Sequence, residues 1–327
     1  LRQADRIEHV QSPVIPIVGR WTSEHPGTIS LGQGVVHYPP PPEVLRTVSQ
    51  AALADRTIDR YGPFGGRDSL LRLLEEKLAR DNGIDVASSD CSVICTAGAN
   101  MAFLNAILAI ADIGDEVILL SPYYFNHHMA IEIAGCRVVS VPTDSQNQPN
   151  LDAIRDAITS RTKAIVTVSP NNPTGAVYSE ATLSSINAMA AELGVYHISD
   201  EAYEYFLYDD RKHFSPASGA TADRHTISLF SLSKTYGMAG WRIGYAVFPN
   251  HLMDAVRKVQ DTNLICPPPV CQIAAEAAIE SGPEWCRRRV PELQDVRDFV
   301  VESLSTIGER CEITTPDGAF YVFLQLH

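Results

Sequence analysis

KAIVTVSPNNPTGAVYSEATLSSINAMAAELGVYHISD (163–200) is the stretch whose reading decides the fold. KAIVTVSP (163–170) is a short run of β-branched and apolar residues closed by proline, which reads as a strand buried on both faces. SEATLSSINAMAAELG (179–194) reads as a helix and VYHISD (195–200) as the next strand. Strand, helix, strand with apolar runs of this length points to a mainly parallel sheet covered on both faces.

The pattern continues outward in both directions. EVILLSP (116–122) and RVVSVPT (137–143) read as strands, with NLDAIRDAIT (150–159) a helix after the second. TISLFSLSK (226–234) and RIGYAVFP (242–249) follow as strands. DSLLRLLEEKLARDNG (68–83) has leucines at helical spacing, Asp68 at its start and Gly83 past its end, and reads as an amphipathic helix. AGANMAFLNAILAIAD (97–112) reads as a more buried one. The alternation breaks at CPPP (266–269), beyond which lie helical stretches and then TTPDGAFYVFLQL (314–326), a turn followed by a strand. The expectation is an α/β protein, a mainly parallel sheet sandwiched by helices. Its large domain would cover 46–262, with segments 1–45 and 263–327 forming a smaller α+β domain.

In an open parallel sheet, ligands bind outside the carboxyl ends of the strands. Tyr123 and Tyr124 follow EVILLSP, Asn171–Gly175 follows KAIVTVSP, and VYHISD ends at Asp200 with Tyr203 close behind. The run ISLFSLS delivers Lys234. One crevice therefore receives an aromatic ring, an amide, a carboxylate, a phenol and an amine. Only five lysines occur, and Lys77, Lys163, Lys212 and Lys258 lie among other charges, as solvated lysines do. Lys234 instead stands alone between Arg224 and Arg242 at the end of an apolar strand. Desolvation and a nearby cation lower a lysine's pKa, which suits imine chemistry. Arg242, the hydroxyls of Ser231 and Ser233, and the free N–H groups of a helix beginning near Ala97–Asn100 would suit a phosphate. An amine nucleophile, a phosphate cradle, an aromatic plate and a buried acid together describe pyridoxal 5'-phosphate.

These residues resemble the class I/II aminotransferases of the pyridoxal-phosphate fold type I superfamily, from about Ser30 to the C-terminus. The motifs are LGQG (31–34), YGPFGG (61–66), TAGAN (96–100), SPYY (121–124), NNPTG (171–175), SDEAYE (199–204) and SLSKTYGMAGWRIG (231–244). GQGVVHYPPPP, PYYFNHHMA and EAYEYFLYD are most similar to the aromatic and methionine enzymes. The resemblance implies a ping-pong transfer of the amino group of an L-amino acid (aromatic, methionine or aspartate-like) to a 2-oxo acid. It implies that Lys234 links covalently to the cofactor and later moves the proton, and that Asp200 pairs with the pyridine N–H. Tyr203 and Asn172 would bond the ring's phenolic oxygen, and Tyr124 would stack on the ring. Ala99 and Asn100 through their N–H groups, with Ser231, Ser233 and Arg242, would hold the phosphate. Tyr61 would reach the phosphate of a neighbouring subunit in a homodimer. Gly34 and Asn172 would meet the substrate carboxylate.

Two departures from the family pattern stand out. The family's carboxylate-clamping arginine follows a GAFY-type strand, whereas this chain stops at His327 with no arginine beyond Arg310, as a truncated C-terminus would. Asn100 stands where related aspartate enzymes carry a lysine, which favours a neutral or aromatic side chain in the substrate.

The remaining features bound the alternatives. Among 327 residues, 39 Asp and Glu against 26 Lys and Arg give a net charge of −13, which argues against binding nucleic acid or an anionic membrane through bulk charge. No apolar run approaches the roughly 18 residues of a membrane helix. The segment LRQADRIEHV has no signal-peptide core, and a cytoplasmic location is expected. The chain begins at Leu1 rather than Met, which is compatible with residues upstream. Seven cysteines without a C-x-x-C pair suggest neither a disulfide framework nor a metal site. Ser231–Lys234 matches S-x-x-K of penicillin-recognising hydrolases, but the S-D-N and K-T-G partners are missing. Gly32–His37 lacks the third glycine of a nicotinamide-binding turn. The alternatives left are a carbon–sulfur β-lyase using the same cofactor, or a cofactor-binding protein without turnover.

Overall fold

Six expected strands and an unforeseen one, Cys91–Thr96, form a seven-stranded sheet in a computed structural model that describes residues 2–32, 34–54 and 56–327. Its strands are β1 (Cys91–Thr96), β2 (Glu116–Ser121), β3 (Arg137–Pro142), β4 (Thr162–Val168), β5 (Tyr196–Asp200), β6 (Thr226–Ser231) and β7 (Gly244–Pro249). The order across the sheet is β1-β7-β6-β5-β4-β2-β3. All run parallel except β7, which is antiparallel to both β1 and β6. The start of β7 therefore lies at the same edge as the carboxyl ends of the others, with Gly244 registered between Thr96 and Ser231. A small hairpin of β8 (Cys311–Ile313) and β9 (Leu324–Leu326) stands apart from this sheet.

Side chains alternate between the two faces of the sheet, as strand geometry demands. Val117, Leu119 and Val166 pack with helices Ala99–Ile110 and Met253–Asn263 on one face. Ile118, Leu120 and Ile165 pack with helices Leu151–Ala157 and Glu180–Leu193 on the other, and Val93, Cys95 and Tyr245 with helices Asp68–Lys77 and Pro269–Glu280. Each such side chain removed from water contributes about 1.5–3 kcal/mol, so the sheet is a rigid platform. Helix Glu180–Leu193 is capped as its sequence suggests: the Ser179 hydroxyl accepts the Thr182 N–H at 3.1 Å, and Gly194 takes the left-handed conformation at φ +68°. The seven cysteines are unpaired, and among the described residues no helix is long and apolar enough to cross a membrane.

Several sequence expectations need correction. The helix expected over 68–83 is α-helical to Lys77 and then makes a π turn over Leu78–Asn82. That wider turn brings Lys77 and Asn82 together, five residues apart, with Nζ 2.7 Å from Oδ1. Lys77 is not a solvated helix lysine: it is 3% exposed and donates to both carboxylate oxygens of Glu204. The strand expected over 226–234 ends at Ser231, and Lys234 belongs to a short helical turn, Leu232–Thr235. Of 314–326, only Leu324–Leu326 is strand, and Cys311–Ile313 was not foreseen as its partner.

His197 on β5 is fully buried between β4 and helix Glu180–Leu193, with Nε2 2.9 Å from Thr167 Oγ1 and Nδ1 accepting from Asn187 Nδ2 at 3.1 Å. Burial, then the neighbouring His225, pushes its pKa down to about 3. Below pH 6.5 the unfolded chain binds a proton at this imidazole that the native state refuses, so stability falls as pH falls. From this residue alone the loss between pH 7.5 and 5 should reach about 2 kcal/mol. Urea unfolding of His197→Gln should show that much less pH dependence; an unchanged slope would count against the assignment.

Candidate active site

The loops leaving the carboxyl edge of the sheet converge on a cavity of about 470 Å³. Ala99, Asn100, Tyr124, Asn172, Asp200, Tyr203, Ser231, Ser233, Lys234, Arg242 and Gly34 all line it, so eleven of the twelve sequence-predicted site residues are brought together. Tyr61 is the exception, 81% exposed and outside the cavity. A larger open hollow of about 660 Å³ beside Arg211 and Glu312 gathers none of these groups.

Lys234 owes its position to the end of β6. The Ser231 hydroxyl accepts the Ser233 N–H at 3.1 Å and starts the short turn that carries the lysine over the sheet edge. Tyr38, from the N-terminal segment, donates its phenolic hydrogen to the Lys234 carbonyl at 2.8 Å and holds that turn from outside. The Lys234 ammonium donates to the Gly34 carbonyl. Burial, then the charge of Arg242, lowers its pKa, and a larger neutral fraction makes a better nucleophile.

Asp200 closes β5 at 5% exposure. One carboxylate oxygen accepts the Ala202 N–H at 3.1 Å, and the other lies 3.1 Å from His127 Nε2. The His127 ring is clamped: it stacks on Phe103 with centroids 4.0 Å apart and meets the edge of Tyr124 at 5.2 Å. Tyr124 in turn accepts from Asn126 Nδ2 at 2.7 Å and bonds Asn100, and burial raises its pKa. Both amides therefore fix the plane of an aromatic ring at the cavity wall.

Across the cavity lies an anion cradle. Helix Ala99–Ile110 starts at Gly98 (φ +84°) with no side chain capping it, which leaves its first N–H groups to a ligand. Arg242, in the left-handed conformation at φ +50°, brings its guanidinium so close that a Cβ on Gly98 would lie 2.5 Å from Nη2. Only glycine fits there. Ser231 and Ser233 complete the rim.

A third group forms where three distant segments meet. The hydroxyls of Tyr203 and Tyr321 bond each other, and Asn172 Nδ2 donates to Tyr321 at 3.4 Å. Burial, then Tyr321, holds the Tyr203 phenol well above its ordinary pKa, and burial pushes Tyr321 up to about 12. Gly34 lies against the same phenol, leaving no room for a Cβ.

The sequence reading missed His127, Asn126, Tyr38 and Tyr321. His127 sits in helix Phe125–Ile133 with nothing nearby in sequence to mark it, and its partner arrives on another strand. GAFY drew attention to its segment but not to the tyrosine in it.

Comparison with known proteins agrees with this geometry. The family model for aminotransferase class I and II matches residues 26–327. An aromatic aminotransferase of Arabidopsis thaliana is 34% identical over 322 residues, covering 96% of this chain and 79% of that protein. An aspartate/prephenate aminotransferase of Thermus thermophilus is 37% identical over 295 residues, covering 86% and 73%. The aspartate aminotransferase structure from Rhizobium meliloti superposes with a TM-score of 0.91 at 29% identity, covering 100% of this chain and 82% of that one. A sheet edge that gathers a desolvated lysine, a buried aspartate and an anion cradle thus has its counterpart in sequence, and the chain belongs to the class I and II aminotransferases.

Proposed function

We propose that the protein transfers the amino group of an L-amino acid to a 2-oxo acid with pyridoxal 5'-phosphate held in the 470 Å³ cavity. The observation that carries this reading is the placing of Lys234, its amine desolvated, in one cavity with Asp200 and the uncapped helix start at Gly98. The donor set fits the cofactor at each end. Ala99 and Asn100 N–H, Ser231, Ser233 and Arg242 suit its phosphate, and Asp200, backed by His127, suits a ring N–H. Tyr203 and Asn172 suit the ring oxygen, and Tyr124 the ring face.

When bound, pyridoxal phosphate supplies an aldehyde that takes up the substrate nitrogen and a ring that accepts the electrons of a broken Cα–H bond. The chain does the rest. Asp200 holds the proton on the ring nitrogen. Gly34, through its backbone, and Asn172 would orient the substrate carboxylate. Lys234 Nζ would act as the acid and base that moves the proton at the substrate carbon.

The substrate side favours a neutral or aromatic amino acid over aspartate. The Asn100 side chain bonds Tyr124, and the cationic side chains lining the cavity, Lys234 and Arg242, already have roles. Ile15, Val35 and Phe125 add apolar wall. The active unit is proposed to be a homodimer in which the exposed Tyr61 reaches the partner's phosphate. The division into 46–262 and a smaller part from 1–45 and 263–327 keeps the phosphate, ring-nitrogen and lysine groups on the larger part. Helix Pro269–Glu280, of the smaller part, packs against the larger one.

The test is a half-reaction on the cofactor-loaded protein. Phenylalanine or methionine should abolish the visible band, and a 2-oxo acid should restore it, with a new amino acid formed in stoichiometric amount. Release of pyruvate and ammonia from a cysteine conjugate would favour the carbon–sulfur lyase. A band that changes once and never recovers would favour the non-catalytic binder.

A further inference from the structure

We propose that Tyr321 is a positioning residue, whose phenol is held by Asn172 and donates to Tyr203, turning the Tyr203 O–H into the cavity. The proposed donor order is one that the hydrogen-bond inventory permits, since a phenol donates one hydrogen and its oxygen accepts up to two. Asn172 Nδ2 carries only hydrogens, so Tyr321 oxygen must be the acceptor of that 3.4 Å bond. The one phenolic hydrogen of Tyr321 is then free for the oxygen of Tyr203. Among the described residues Tyr321 is the hydrogen-bond partner recorded for the Tyr203 hydroxyl, which leaves Tyr203's own hydrogen for whatever fills the cavity. A donor whose oxygen already accepts a bond is polarised and donates more strongly.

The backbone fixes Tyr321 for this task. Gly318 N–H donates to the Gly175 carbonyl at 2.9 Å, and Ala319 N–H to the Phe206 carbonyl at 2.9 Å. One bond ties the turn to the loop that carries Asn172, the other to the segment that carries Tyr203. A Cβ on Gly318 would come within 2.5 Å of the Phe206 carbonyl oxygen, and Ala319 is held at φ +56°. Phe320 meets Tyr203 edge-on at 5.4 Å, and Gly34 packs against the Tyr321 phenol from the other side. The phenol is thus located from three directions, more than packing alone requires.

The inference rests on the proposed placement of the cofactor's ring oxygen against Tyr203. That oxygen carries most charge when the cofactor–lysine unit is deprotonated, so a weaker donor disfavours that form and raises the pH at which the visible absorbance changes. The experiment titrates that absorbance in the pyridoxal-phosphate-loaded wild type, Y203F, Y321F and the double variant. Y203F should raise the midpoint by about one unit and Y321F by about 0.3–0.6 unit, with nothing added by Y321F in the Y203F background. A Y321F midpoint equal to wild type while Y203F moves would overturn the role of Tyr321 and leave the cofactor placement standing. A Y321F shift that persists in the double variant would overturn it too, since Tyr321 would then act directly. Should Y321F lose the cofactor while Y203F keeps it, Tyr321 would be an anchor and the proposal would fail. If neither variant moves the midpoint, the placement of Tyr203 falls and the inference with it.

Discussion

Lys234→Ala is expected to abolish amino transfer, by at least about 10⁴-fold, or ~5.5 kcal/mol of activation free energy. In the proposed mechanism one amine both links to the cofactor and moves the proton, and among the described residues no second lysine lines the cavity to replace it. Lys77 is buried but bonded to Glu204 and Asn82 and does not line the cavity. Lys234→Arg is the informative companion. It keeps a cation within reach of the Gly34 carbonyl but has no nucleophilic amine, because a guanidinium stays protonated. Both variants should also lose the visible band of the lysine-bound cofactor. Single-turnover measurements with either variant decide the matter, and retained transfer would refute the role.

Asp200→Ala is expected to lower the rate of the first half-reaction on the order of 10³-fold, about 4 kcal/mol. The carboxylate, 5% exposed, faces a cavity where charges interact more strongly than in water. Removing it leaves the His127 Nε2 without its acceptor and, in the proposed placement, a ring nitrogen without the group that keeps it protonated. Asp200→Asn keeps the volume and an acceptor for the Ala202 N–H, so it separates charge from packing. It should lose nearly as much rate as the alanine variant while retaining more cofactor. A near-wild-type rate in either would contradict the assignment of Asp200 to the ring nitrogen.

Helix Glu180–Leu193, the central strands and Lys234 were legible because each is marked by residues close in sequence. Ser179 and Gly194 bracket a helix by local hydrogen bonding, and a lysine with uncharged flanks is unusual at any distance from its neighbours. His127 was not legible, since nothing in PYYFNHHMA separates it from His128. His128 stacks on Tyr123 and pairs with Glu132 instead, while His127 alone is turned inward to Asp200. Lys77 was misjudged because it shares the buried helical stripe of Leu70 and Leu74, and the carboxylate that makes its burial tolerable, Glu204, is distant in sequence.

By itself the sequence determined the mainly parallel α/β sheet, the edge at which polar groups gather, and which amine, carboxylate, hydroxyl and guanidinium side chains meet in one cavity there. Periodicity, capping and strand-end placement are local and depend on a few adjacent residues. Only the tertiary structure decided how those groups are tuned: Tyr38 on the lysine's carbonyl, His127 on the aspartate, Tyr321 between Asn172 and Tyr203. Each of these pairs residues on different elements, and such contacts exist only once the sheet has stacked its strands out of chain order and the end segments have crossed its edge.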